Sequence, residues 1–140
     1  MTPEEIIEFI STNSSGEISE PIIIKSQNYE LNCKWKRNIK ITIRPKGSLI
    51  TETGYSEIRK LPLISLILRA PQYELRGEKT ELTENLLSNQ YTRALLYYPA
   101  SKISCENQQI SYTAQLRKKN SPDLEKIINY FEALVSTLKQ

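Results

Sequence analysis

The sequence predicts an α+β domain with a mostly antiparallel sheet, and three observations support this fold class. Residues 29–44 contain two runs in which apolar and polar side chains alternate, as they do in half-buried strands. Residues 102–117 repeat that pattern around a short polar turn. Residues 121–138 place apolar side chains three and four positions apart, which is the spacing of an amphipathic helix. We therefore expect a sheet built from hairpins, with a short N-terminal helix, a central helical stretch and a C-terminal amphipathic helix packed on the sheet.

The chain of 140 residues has the length of one ordinary domain. A chain of this size buries roughly two thirds of its unfolded surface, so neither disulfides nor a metal is needed for folding. We therefore treat residues 1–140 as a single α+β domain. Residues 1–12 are predicted as a short helix, which Thr2 caps and in which Pro3 takes the first position. Residues 13–20 are predicted as a linker, and these two segments are the ones that we expect to be loosely attached.

The first hairpin is the best-defined strand pair, because the parity of its two runs fixes how they pair. A two-residue loop would place polar side chains opposite apolar ones, whereas a three-residue loop at 36–38 keeps each face uniform. In that register Trp35 lies opposite Ile39 on the core face. On the other face Glu30 lies opposite Arg44, which is a favourable cross-strand charge pair.

Other segments show strand patterns as well. Short strands are predicted within 21–25, 48–58, 61–70 and 72–77. The run at 61–70 is almost wholly apolar and lacks alternation, which is typical of a strand that is covered on both faces. The second hairpin, at 102–117, turns at residues 106–109.

Two further helices complete the predicted fold. A central helical stretch is expected over 80–98, with a break near Ser88 and Asn89, and Pro99 ends it. The last helix begins after Ser121, whose side chain suits the capping position, with Pro122 in the first turn. Its apolar stripe contains Leu124, Ile127, Ile128, Phe131, Leu134, Val135 and Leu138.

The absence of histidine is the most discriminating negative feature of the sequence. It removes Ser-His-Asp and Cys-His nucleophilic sites, the histidine-bearing zinc sites and a histidine general base. The two cysteines, Cys33 and Cys105, are too few for a zinc site of four thiolates. Both fall on the apolar side of their strands, so we expect buried free thiols, with a disulfide as the alternative. We expect no catalytic residue, no metal and no cofactor. An enzyme that uses carboxylates, lysine or tyrosine is an alternative that ranks below the two binding functions described at the end of this subsection.

The positive charge of the chain is concentrated in one segment. Six of the 19 basic residues lie between Lys34 and Lys46, where there is no acid, and the other 13 face 16 acidic residues. Clustered cations of this kind suit phosphate contacts, but they also occur on a solvated sheet face or along a strand that must resist aggregation. The second hairpin can add to this cluster only if it lies beside the first. The candidate binding residues are Lys34, Lys36, Arg37, Lys40, Arg44, Lys46, Arg117, Lys118 and Lys119.

The sequence favours a binding protein over an enzyme. The start of the chain is acidic where a secretory signal is basic, and no apolar run approaches the ~20 residues of a membrane span. We therefore expect an intracellular, cytoplasmic protein that binds a macromolecule, of the accessory, inhibitor or immunity type that is common in bacteria. The partner that we expect first is another protein, and an acidic protein would suit the basic hairpin. Binding of nucleic acid or of an anionic membrane surface through the basic hairpin 34–46 is the alternative. The oligomeric state is left open.

Overall fold

The computed structural model describes residues 4–5, 8, 18–35, 38–47, 50, 53–60 and 73–138. Within these ranges only the backbone is described at 18–20, Trp35 and Lys118. The strand predicted over 61–70 and most of the helix predicted over 1–12 lie outside the described residues, so both stay predictions. The turn residues Lys36 and Arg37 lie outside them as well.

The described residues form a seven-stranded antiparallel sheet with the spatial order β1-β2-β3-β7-β6-β4-β5. The edge strands are therefore β1 and β5, and both predicted hairpins lie in the interior of the sheet. The strands are β1 (Ile18–Lys25), β2 (Tyr29–Trp35), β3 (Asn38–Pro45), β4 (Ser56–Lys60), β5 (Tyr73–Gly77), β6 (Lys102–Glu106) and β7 (Gln109–Arg117).

The first hairpin pairs in the predicted register. Trp35 lies opposite Ile39 and Glu30 lies opposite Arg44, as the parity of the two runs requires. The first strand begins earlier than expected, because Ile18 is already paired and the end of the predicted linker 13–20 therefore belongs to β1. The register of β1 shifts between Ile18 and Ile22. That irregularity brackets Pro21, which lacks an N–H and is tolerated in an edge strand.

The second hairpin is also confirmed. Its turn consists of Asn107 and Gln108, whose φ angles are 50° and 66°. Two consecutive left-handed residues are the conformation of a type I′ turn, which matches the twist of the strands that it joins. The turn brings Glu106 opposite Gln109 and leads into β7, which pairs with β3.

In the described part of the chain three α-helices cover one face of the sheet, and we label them α1 (Glu81–Ser88), α2 (Gln90–Leu95) and α3 (Asp123–Leu138). Asn89 makes the predicted break between α1 and α2. Its backbone N–H donates to the Leu86 carbonyl, while its side-chain oxygen accepts from the backbone N–H of Tyr91 at 2.9 Å. The second helix is shorter than predicted, because the chain turns after Leu95. A residue that precedes proline, as Tyr98 does, disfavours helical backbone.

The core lies between this helical layer and the inner face of the sheet. Alternate residues of the interior strands are buried together with the stripe of α3, as predicted, although Val135 and Leu138 are only partly buried. A buried hydrogen bond joins the two layers, because the Tyr112 hydroxyl donates to the Leu95 carbonyl at 2.6 Å. Cys33 and Cys105 are both buried, and the thiol of Cys33 is free. None of the described helices is both long enough and apolar enough to span a membrane.

Candidate functional site

The sheet face opposite the helices, which we call the outer face, carries the polar half of each alternating strand. Its central strands present small polar groups, such as Thr42 opposite Thr113 and Ser104 opposite Ser111. The two serine hydroxyls lie 2.7 Å apart and hydrogen-bond to each other. Side chains of this face are exposed or partly exposed, so this part of the sheet is accessible.

Cations gather at the end of the outer face where the tip of the first hairpin lies. Lys34 and Lys40 are directly opposite each other on β2 and β3, and both are exposed. The neighbouring strand β7 places Gln115 opposite Lys40 and places Arg117 opposite Asn38, the first residue of β3. The second hairpin therefore does lie beside the first, and Arg117 joins the cluster. We call Lys34, Lys40 and Arg117 the cationic end of the outer face.

Protection of a sheet edge does not explain this cluster. Lysines on an edge strand discourage pairing with another chain, but β2, β3 and β7 are all interior strands. Lysines placed directly opposite each other repel, and a cross-strand pair of this kind destabilises a sheet by roughly 0.2–1 kcal/mol. No described acidic side chain forms an ion pair with Lys34, Lys40 or Arg117, since the recorded ion pairs involve only Arg59, Arg76 and Lys126.

The remaining predicted binding residues are distributed differently. Arg44 is on the outer face but lies about 13 Å from Lys40 along β3, and it faces Glu30. Lys46 is exposed beyond the end of that strand, and Lys119 is exposed in the 3-10 turn that follows β7. The side chains of Lys36, Arg37 and Lys118 lie outside the described ones. Of the nine candidates, the structure thus brings three together and places Arg44 and Lys46 apart from them.

A cavity of about 550 Å³ opens beside the outer face, where the segment after α2 enters β6. Three cationic side chains line it, and Glu57 supplies the one carboxylate among the described lining residues. The volume lies within the range of roughly 300–1,000 Å³ that is usual for ligand sites. The cations and the aromatic and hydroxyl groups of the wall are Arg59, Lys60, Lys102, Tyr97, Tyr98 and Ser101.

The cations of this cavity include a second like-charged cross-strand pair, in which Arg59 on β4 lies opposite Lys102 on β6. Glu74 draws one member of the pair away, because its carboxylate accepts hydrogen bonds from Arg59 at 3.2 Å and from Arg76 at 2.9 Å. The hydrogen bond from Arg76 is the largest of the contributions that hold the pKa of Glu74 below its usual range. Glu74 is therefore ionised at neutral pH, and Lys102 is left without an ion-pair partner among the described residues.

Two adjacent tyrosines form the aromatic wall of the cavity. Tyr97 is 76% exposed, and the centroid of its ring lies 5.7 Å from that of Tyr98 in an edge-to-face arrangement. Burial raises the pKa of Tyr98 to about 12, so its hydroxyl is protonated at neutral pH. The next turn contains Ala100 with a φ of 52°, a left-handed conformation that costs a residue with a Cβ some strain. Strained residues of this kind cluster at functional sites.

The cavity and the cationic end are neighbours. The backbone N–H of Gln115, the residue opposite Lys40, donates to the carbonyl of Pro99 in the cavity wall at 3.1 Å. Sheet geometry puts Lys40 and Lys102 about 12 Å apart, two strands across and two residues along. The two sets of cations therefore belong to one continuous surface that extends about 20 Å from β2 to β4.

Sequence reasoning missed the cavity residues, because they converge only through the strand order. Arg59 and Lys102 are far apart in the chain, and nothing local indicates that β4 pairs with β6. The Tyr97–Tyr98 pair before Pro99 was the one visible signal.

The described residues contain no group of three or more His, Cys, Asp or Glu side chains that could hold a metal ion. Comparison of the chain with known protein families, with curated proteins and with solved structures finds no match.

Proposed function

We propose that the protein is a non-enzymatic binding protein whose outer face holds a single-stranded nucleic acid. Lys34, Lys40 and Arg117 contact backbone phosphates in this proposal. The observation that carries it is the like-charged pair Lys34–Lys40 on interior strands, continued by Arg117 and unopposed by described carboxylates. An anion that lies between these cations removes their mutual repulsion and releases its own counterions, which favours binding most at low salt.

The aromatic rim favours nucleic acid over an acidic protein. An exposed tyrosine beside the cations supplies a stacking surface, and proteins that bind single strands combine such rings with a positively charged groove. The span of about 20 Å from β2 to β4 suits a short stretch of strand. The missing histidines and the single described carboxylate of the cavity support binding rather than catalysis.

Two variants with the same net charge, which differ only in the position of the cations removed, test this proposal. The site variant changes Lys34, Lys40 and Arg117 together to Gln. The control variant changes three exposed cations that are not on the strands to Gln, namely Lys79 before α1, Arg93 on α2 and Lys126 on α3. Each variant loses three positive charges, so a difference between them reports the position of the charges and not their number.

The measurement is a fluorescence anisotropy titration of a labelled single strand of about 16 nucleotides, at salt concentrations between about 50 and 200 mM. We expect the slope of log K against log salt to fall by about two in the site variant, since each phosphate contact on a single strand contributes about 0.7. The control variant should keep nearly the parental slope. Equal losses in the two variants would show attraction by net charge alone and would contradict the proposal.

Two alternative ligands are titrated against the same protein variants. Vesicles with anionic lipid headgroups test a membrane surface, and an acidic polypeptide such as polyglutamate tests an acidic protein. If either binds the parent while the oligonucleotide does not, even at the lowest salt, the nucleic-acid proposal is wrong. Thermal melts of all variants check that the fold is retained, which is expected because exposed cations contribute little to stability.

A further inference from the structure

The cavity beside the cationic end has the chemistry of a site for one nucleotide. It combines an exposed tyrosine, two cations that have no ion-pair partner among the described residues and a tyrosine hydroxyl within about 550 Å³. A nucleotide unites the complementary groups, namely an aromatic base, a polar sugar and an anionic phosphate. We propose that one nucleotide of the bound strand enters this cavity, with its base stacked on Tyr97 and its phosphate between Lys60 and Lys102. This inference rests on the proposed function and names the subsite at which a base is held.

The ring of Tyr97 is placed for stacking. Its edge-to-face contact with Tyr98 fixes the ring from one side, and 76% of the residue stays exposed, so the open ring surface is available to a base. Tyr98 is itself partly buried, and its own position is therefore set by the fold. A fixed aromatic surface loses little conformational freedom when a base stacks on it, which is the advantage of a preorganised site.

The cations of the cavity are placed for a phosphate. Lys102 is opposed across the strands by Arg59, whose guanidinium is held by Glu74, so the Lys102 ammonium remains the free cation of the pair. Lys60 ends β4, where alternation turns its side chain to the face opposite that of Arg59, and it lines the same cavity from that side. The Glu57 carboxylate accepts a hydrogen bond from the Tyr55 hydroxyl, which occupies one of its oxygens and directs it toward that ring. The nearest described acid is thus engaged, and an incoming phosphate meets two lysines.

The path from the cationic end to the cavity is continuous. A strand that contacts Lys40 reaches Lys102 after about 12 Å, and the hydrogen bond from Gln115 to Pro99 ties the cavity wall to the strand that carries Arg117. Phosphates on the outer face therefore position the strand, and the cavity holds one of its bases. Any base is accepted by stacking alone, because every base has an aromatic face.

The test removes the base in one arm and the ring in the other. The probes are a labelled single strand of about 16 nucleotides and an abasic strand of the same length, which keeps every phosphate. The protein variants are Tyr97→Leu, which removes the ring, Tyr97→Phe, which keeps it, and Lys102→Gln. We expect Tyr97→Leu to weaken binding of the normal strand by about fivefold to a hundredfold, which is the contribution of one stacked base, and to leave the abasic strand unaffected.

The remaining results separate this inference from the function on which it rests. Tyr97→Phe should bind both strands as the parent does, and Lys102→Gln should weaken both. If the site variant, in which Lys34, Lys40 and Arg117 are changed to Gln, loses binding while Tyr97→Leu binds both strands like the parent, the nucleotide subsite is wrong and the proposed function stands. If the parent binds the normal and abasic strands equally, the subsite is also wrong, and that result needs no variant. If a free nucleoside monophosphate binds as tightly as the strand, the cavity serves a small ligand, and placement of a strand nucleotide there is contradicted.

Discussion

The packing of the C-terminal helix can be tested at a single residue, Phe131, which lies midway along the buried stripe of α3. Its side chain is 1% exposed, and it belongs to the core that joins the helix to the sheet. Replacement by alanine removes the ring and leaves the backbone unchanged. The change therefore reports how much of the stability of the domain comes from contact between this helix and the sheet.

The expected loss follows from the buried area and from the surroundings of the ring. A buried aromatic side chain removes about 150–250 Å² from water, and truncation of Phe to Ala in a core usually costs about 3–5 kcal/mol. A space of about 220 Å³ already exists beside Phe131, between Tyr29, Pro45 and Val135. This pocket is open to solvent, so water can enter the space that the ring vacates, and we expect a loss within that range and not above it. Domains of this kind have a total stability of about 5–15 kcal/mol.

The assay is urea unfolding followed by circular dichroism, with a thermal melt as a second measurement. We expect the melting temperature of Phe131→Ala to fall by roughly 10–20 °C. The matched control is Asn129→Ala on the exposed side of the same helix, which should change the free energy of unfolding by no more than about 0.5 kcal/mol. A Phe131→Ala protein that melts within about two degrees of the parent would refute this description of how α3 packs.

Three further outcomes follow from the buried polar groups. Burial raises the pKa of Cys33 to about 12, so this thiol stabilises the fold fully below its unfolded pKa, and that contribution is lost as the pH rises through the folded pKa. In urea titrations the parent should lose roughly 1 kcal/mol more than Cys33→Ala between about pH 8 and pH 10, and equal pH slopes would contradict the shift. The hydroxyl of Thr92 is buried without a hydrogen-bond partner among the described residues, so Thr92→Val should raise the free energy of unfolding by about 1 kcal/mol, and a loss would show a partner. Tyr112→Phe leaves the Leu95 carbonyl without its donor and should lower the same quantity by about 1–3 kcal/mol, whereas an unchanged value would mean that the hydrogen bond adds nothing.

Local patterns sufficed to predict both hairpins, the break between α1 and α2, and the C-terminal helix with its buried stripe. The register of the first hairpin was correct because a shift by one residue would have exchanged its apolar and polar faces, so parity allowed one solution. The break at Asn89 was predictable because asparagine both ends one helix and caps the next. These predictions depend on residues that are close in sequence, where backbone preference and alternation act directly.

The arrangement of the strands was not predictable, because it depends on contacts between residues that are distant in sequence. The pairing of β3 with β7 brings Arg117 beside the first hairpin, and the pairing of β4 with β6 places Arg59 opposite Lys102. Neither pairing leaves a local mark in the sequence. The strand order also removed one explanation of the basic hairpin, since Lys34 and Lys40 lie in the interior of the sheet and do not guard an edge.

The two like-charged pairs and the left-handed alanine share one physical meaning. Lys34 with Lys40 and the backbone of Ala100 each cost the folded state some free energy, and Arg59 with Lys102 does so only in part, because Glu74 holds the guanidinium. A polar sheet face that only meets water could avoid each of these costs by one exchange, of a lysine of the pair for a threonine or of the alanine for a glycine. Local costs that gather within about 20 Å on one accessible surface are typical of a site whose ligand compensates for them. This clustering on the described part of the sheet, more than the number of cations, is why we place the binding activity on the outer face.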